Sequence, residues 1–174
     1  MLKERSIAML FDVNEIAGHV KHAVIDKLTW DAERQRDLAV ALYNRGALEE
    51  AVECALKYRA CVRELERITV ADPVDVVLRD EDSARLFIDF VRRYVADMWK
   101  KAYTVIYNVA LEERDDDGII DALAEEIDGI CAALGQLAER RSWTHLSSMI
   151  KHLEKEKSRM LMMWEDAIGG RFHA

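Results

Sequence analysis

Residues Val62–Arg67 read VRELER, and residues Ile150–Lys155 read IKHLEK. Superimposed, Val62 pairs with Ile150, Arg63 with Lys151, Leu65 with Leu153, Glu66 with Glu154 and Arg67 with Lys155; only Glu64 against His152 differs in kind. The two copies stand about half a chain apart in 174 residues. Between them lies TVADPVDVVLRDED, from Thr69 to Asp82, which holds the only proline, Pro73. Proline biases the residue before it away from helix, so this segment is the natural break between halves. The reading is one all-helical domain, residues 1–174, with an internal repeat of residues 1–78 and 79–174. The alternative is coincidence, because strings of basic, apolar and glutamate residues are common on amphipathic helices.

Outward from the hexamers, helical period governs the chain. Ile7, Leu10, Ile16, Val20 and Val24 predict a helix from Leu2 to about Leu28. Thr29 is placed to cap a second helix running to about Asn44, with Gly46 as its stop. A third spans about Ala47 to Ile68 and carries the first hexamer. A fourth, from about Asp82 to Leu111, is apolar over more than half its circumference and is expected at the centre. A fifth runs from Ile119 to about Arg140. A sixth, capped by Ser142, runs from Trp143 to about Ile168 and ends at Gly169 and Gly170. No alternating strand pattern occurs. The expected fold is all-α, a six-helix bundle in two similar three-helix halves.

Composition narrows the function. The chain is 51% hydrophobic and 33% charged, with 7 glycines and one proline, as befits a helical protein in water. A net charge of -8 opposes general binding to a phosphate backbone and argues against a polybasic membrane anchor. No apolar run approaches the roughly 20 residues that span a bilayer. The N-terminal residues do not read as a signal peptide. Three cysteines without metal-type spacing read as buried free thiols in a reducing cytoplasm.

Three groups of residues could carry chemistry. Glu15, His19 and His22 share one helical face, and imidazole with carboxylate can hold a divalent metal. His152 could complete such a site if its helix were a neighbour. The plainer reading is a solvated helix face. Arg140 and His145 follow the R-x4-H spacing of HEPN-type ribonucleases, an all-helical family that cleaves RNA; ALYNRGALEEAVECA, from Ala41 to Ala55, also resembles the helix hairpin of HEPN and tetratricopeptide-like units. Trp99, Tyr103 and Tyr107 lie near Arg92, Arg93, Lys100 and Lys101. Such a ladder can stack single-stranded bases, although a stripe at helical spacing favours a core or a subunit interface. Glu125 and Glu126 read as a solvated face. No Gly-rich phosphate loop, H-E-x-x-H or G-x-S-x-G is present.

IKHLEKEKSRMLMMWEDAIGGRF, from Ile150 to Phe172, resembles the C-terminal helix of the PhoU-like phosphate-transport accessory proteins. CVRELERI resembles that family's first copy of the pattern, and RDEDSARL, Arg79 to Leu86, resembles the opening of its central helix. The resemblance implies a regulator linked to phosphate transport, with metals held at Glu66 and Glu154. The aspartate that the family places four residues on is replaced here by Val70 and Ser158. That loss implies a scaffold or regulator rather than a metalloprotein, so no cofactor is expected, and a divalent metal is the one group the candidates could hold. The expectation is a non-catalytic cytoplasmic regulatory or adaptor protein, PhoU-like and homodimeric. It would act on itself or on a protein partner such as a transporter or sensor, with no nucleic acid and no membrane insertion. An RNA-cleaving enzyme using Arg140 and His145, or a plain dimeric scaffold, are the rivals.

Overall fold

The computed structural model describes residues 11–112 and 117–173. Among them are six helices and no strand: α1 (Val13–Asn44), α2 (Leu48–Val70), α3 (Pro73–Arg79), α4 (Glu81–Glu112), α5 (Asp117–Arg140) and α6 (Thr144–His173). The protein is all-α, as the unbroken helical period predicts. The part of the first expected helix before Phe11, and most of the charged turn before Gly118, lie outside the described residues.

The helices divide into two compact units, one of residues 14–83 and one joining residue 84 onward to the segment before Asn14. The division of the first unit differs from the sequence reading. Thr29 caps nothing: it lies inside α1, and its Oγ1 donates to the Ile25 carbonyl at 2.8 Å. A threonine that bonds back one turn is at home inside a helix. The two helices expected on either side of it are therefore one. The proline segment, read as a break, instead holds the short helix α3. Asp72 accepts from the Val74 N–H at 2.9 Å and Pro73 occupies its first turn, where a missing N–H costs nothing. As a result VRELER sits in the second helix of its unit and IKHLEK in the third helix of the other. Leu153 is fully buried whereas Leu65 is half-buried, and both Glu66 and Glu154 are exposed.

In residues 14–83, α1 and α2 form an antiparallel hairpin. Its reversal is a helix-terminating turn around Gly46, which holds a φ of +81°. The Gly46 N–H donates to the Tyr43 carbonyl at 3.0 Å and the Ala47 N–H to the Leu42 carbonyl at 3.0 Å. Those two bonds satisfy carbonyls that a helix end leaves open. At the far end, Lys21 Nζ donates to the carbonyls of Thr69 at 2.9 Å and Ala71 at 2.8 Å. A cation there complements the negative end of the α2 dipole. Arg79 reaches Glu64 at 3.4 Å and ties α3 to α2.

The other unit is a three-helix bundle of α4, α5 and α6. Its apolar faces meet through Phe87, Val91 and Ala102 of α4, Leu123, Ile127 and Leu134 of α5, and Leu146, Leu153 and Met160 of α6, all buried. Polar contacts join each pair of helices: Tyr94 to Glu126, Arg85 to His145 and Lys157 to Asp128. The tight link between α5 and α6 carries the Arg141 guanidinium 4.1 Å from the Trp143 ring centre. α6 does not stop at Gly169 and Gly170 as expected; it runs on to His173. Neither glycine is barred from a helix, only disfavoured by roughly 1 kcal/mol.

Gly46→Ala should lower stability by about 1–2 kcal/mol, the cost of holding a side chain in the left-handed region. Leu153→Ala should cost about 2–5 kcal/mol, the range for emptying a packed leucine site. Urea denaturation measures both. A near-neutral Leu153→Ala would mean that this face of α6 is not the packed one.

Candidate interaction surface

The core of the hairpin near its turn is small. Leu42, Ala51 and Cys54 form the buried cluster, with Ala39 and Ala47 packed against it. The larger apolar side chains of the same region point outward. Tyr43 is 67% exposed, Leu48 56%, Val52 57% and Leu56 65%. Leu38 and Val40 are exposed as well. This inversion follows from the register. α2 turns Ala51, Cys54, Tyr58 and Cys61 toward α1, so positions three and four residues apart on the opposite side, Leu48, Val52 and Leu56, face away.

Between the two helices runs an open groove of about 270 Å³ lined by Ala39, Val40, Tyr43, Ala51, Val52 and Ala55. Alanines form its floor, and Val40, Tyr43 and Val52 form its walls. A floor without long side chains lets another helix approach closely, and side chains beside it can interdigitate. Covering the outward halves of Val40, Tyr43, Leu48, Val52 and Leu56 would contribute on the order of 5 kcal/mol. Exposed apolar residues scattered singly need no explanation, but a contiguous patch marks an interaction site.

The buried carboxyl of Glu126 is the second unusual feature. Sequence reasoning placed it on a solvated face; it is only 3% exposed. Tyr94 donates its hydroxyl to Oε1, and the Phe11 N–H also bonds the carboxylate. Oε2 has no hydrogen-bond partner. Burial raises the pKa above the ordinary carboxyl value, against the opposing pull of the Tyr94 hydroxyl, the Phe11 N–H and Lys101. The register held the signal, since Glu126 stands three residues after Leu123 and four before Ile130, both buried. The Phe11 ring meets Tyr94 edge-on with centroids 5.3 Å apart. The cluster ties the chain at Phe11 to α4 and α5.

The residues singled out from sequence are dispersed. Glu15, His19 and His22 lie exposed along α1, and His22 faces Asp26 at 3.5 Å. Glu66 is exposed on α2, and Glu154 on α6. Glu154 lies near Cys131, whose thiol is pushed up to about 11, chiefly by burial and then by Glu154 and Asp128, against Lys157. Such a thiol stays protonated and is a poor nucleophile. Among the described residues, no three His, Cys, Asp or Glu side chains gather where a metal ion could be held. Arg140 is in the last turn of α5 and His145 in the first turn of α6. His145 Nε2 accepts from Arg85 Nε at 3.1 Å, beside an open groove lined also by Asp89, Arg92 and Ser148. Of the aromatic ladder, Trp99 and Tyr103 are half-buried and Tyr107 is exposed. Burial raises the Tyr103 pKa, and Glu156 adds to the shift while Arg159 opposes it. Cys54 is buried, Cys61 and Cys131 are half-buried, and all three are free.

Among the described residues, no helix is long and apolar enough to cross a membrane. Compared with known proteins, the chain matches no family model, no curated protein and no solved structure.

Glu126 gives a pH test with a definite sign. Its folded pKa is raised, so between the unfolded value, about 4.3, and the folded value the native state holds more protons than the unfolded state. Stability from this group is present at low pH and is lost as pH rises through the folded pKa. Glu126→Gln removes the titration. The variant should therefore gain on the wild type as pH rises from about 4 toward neutrality. Paired denaturation curves across that range read the difference. A difference independent of pH, or one that moves against the variant, would contradict the raised pKa.

Proposed function

We propose that this chain is a non-catalytic regulatory or adaptor protein that works by docking α-helices on the hairpin of α1 and α2. The observation behind this reading is the apolar surface around Val52 and Leu56, outward-facing beside a groove floored with alanine. Helix-in-groove recognition needs such a furrow, with anchors three, four and seven residues apart. The resemblance of VRELER and IKHLEKEKSRMLMMWEDAIGGRF to PhoU-like sequences is in keeping with a regulator, and would make the partner a transporter or a sensor in the cytoplasm. The missing aspartates at Val70 and Ser158 favour surface presentation over metal chemistry in that role.

A photoreactive amino acid at Leu56, expressed in the native host, tests the reading. Irradiation should give a discrete protein adduct, resolved by electrophoresis and mass spectrometry. The same group at Glu125, exposed on α5, should give none. No adduct from Leu56, or equal labelling from both positions, would remove the basis for a docking role.

A further inference from the structure

We infer that the first occupant of the hairpin surface is a second copy of this chain, docked with its α2 antiparallel to the first. The inference rests on the docking reading above and names its partner. Its ground is the distribution of charge along α2. From Leu48 to Leu56 the helix carries Glu49, Glu50 and Glu53 and no basic residue. From Lys57 to Arg67 it carries Lys57, Arg59, Arg63 and Arg67 against Glu64 and Glu66. One end is acidic and the other is predominantly basic.

A helix of this polarity complements itself only when reversed. A two-fold axis supplies that reversal, because an isologous interface sets residue i against j and j against i. With Leu56 near the axis, Glu53 comes opposite the second copy's Arg59, three residues to either side. Glu49 comes opposite the second copy's Arg63, seven residues to either side. Val52 then meets the second copy's Ala60, a large side chain against a small one. All of these residues are exposed. Glu49, Glu53, Arg59 and Arg63 make no ion pair among the described residues, whereas Arg67 is paired with Glu64 at 2.8 Å. Glu50, Lys57 and Glu66 are likewise without an ion pair among the described residues, and the antiparallel arrangement would match the four that share the face of Leu56.

Long-range charge also permits this contact. The whole chain carries -8, which drives copies apart. Residues 14–70 carry ten acidic and nine basic side chains, so the arm itself is nearly neutral. Two copies can approach by this surface with little of the repulsion they would meet elsewhere. α2 is about 35 Å long at the usual helical rise, enough for several turns of contact. Val52 belongs both to this face and to the groove that Val40 and Tyr43 of α1 help to line.

The test is the oligomeric state of the full chain by light scattering at low salt. The wild type should be a dimer. Two charge-reversed variants, Glu49→Arg with Glu53→Arg and Arg59→Glu with Arg63→Glu, should each be monomeric alone, with self-association weakened at least about tenfold. An equimolar mixture of the two should form a heterodimer, because each then presents what the other lacks. Leu56→Asp should be monomeric and should not be rescued by mixing. Circular dichroism confirms that each variant folds. A monomeric wild type would overturn self-docking, even where the photoreactive group at Leu56 captures a different protein and the docking reading survives. Charge-reversed variants that dimerise alone as well as the wild type, or that are monomeric and fail to recover when mixed with each other, would overturn the antiparallel pairing.

Discussion

The reversal at Gly46 sets the geometry on which the hairpin depends. A residue with φ of +81° ends α1 within one turn and sends the chain back along it. Antiparallel pairing then follows, and its register is pinned at both ends. Near the turn, Leu42 meets Ala51 and Cys54. At the other end, Lys21 closes on the carbonyls of Thr69 and Ala71. A helix pair fixed at two points cannot slide by a turn without losing both. Once the register is fixed, each position on α2 is committed to the seam or to the outside.

Two helices have only one seam. The unit of α4, α5 and α6 escapes that limit, because each helix has two neighbours across which to bury apolar surface. Its interior accordingly takes large residues such as Phe87, Leu123, Leu134, Leu153 and Met160. It also tolerates a carboxyl, Glu126, whose desolvation is offset by Tyr94 and the Phe11 N–H. A buried acid kept beside a hydroxyl favours one arrangement of α4 on α5, since any other gives up the Tyr94 bond to the acid. The hairpin has no such surplus of surroundings. Toward the turn its seam is filled with alanine, cysteine and one leucine, and the bulkier side chains there remain outside, whereas the far end buries Ile16, Val20 and Ile68.

The sequence makes the helices legible because apolar residues return every three or four positions almost without interruption. It also marks the turn at Gly46, where only backbone freedom was needed to read the signal. It misleads at Thr29, because the same residue that caps a helix can bond to a carbonyl one turn back within one. Which of the two occurs depends on whether Leu28, Ala32 and Gln35 continue the inward face, and a local motif does not contain that information. Glu126 was misread for a related reason. A glutamate beside Glu125 looks solvated by composition, while its register with Leu123 and Ile130 places it inside. The outward apolar surface of α2 was hidden differently. Val52 and Leu56 look like core residues in any amphipathic plot of α2, and only the position of α1 reveals that the seam is on the other side.

That last point also bears on the hexamers. Leu65 and Leu153 carry the same local pattern, yet one is half-buried and the other fully buried. The difference lies in what surrounds each helix. α6 packs within a three-helix bundle, whereas Leu65 shares the stripe of Tyr58 and Cys61, half-buried like them, and the opposite face of α2 is open along Val52 and Leu56. A sequence pattern for burial is thus a demand for a neighbour. In one unit the chain supplies that neighbour itself. In the other the demand is met only in part, and the remainder faces outward as apolar surface at the middle of α2, flanked by acid toward its start and base toward its end. Hydrophobic contact alone would accept a partner helix in either direction. The charge gradient would discriminate between the two, because reversal sets opposite signs together and parallel alignment sets like signs together.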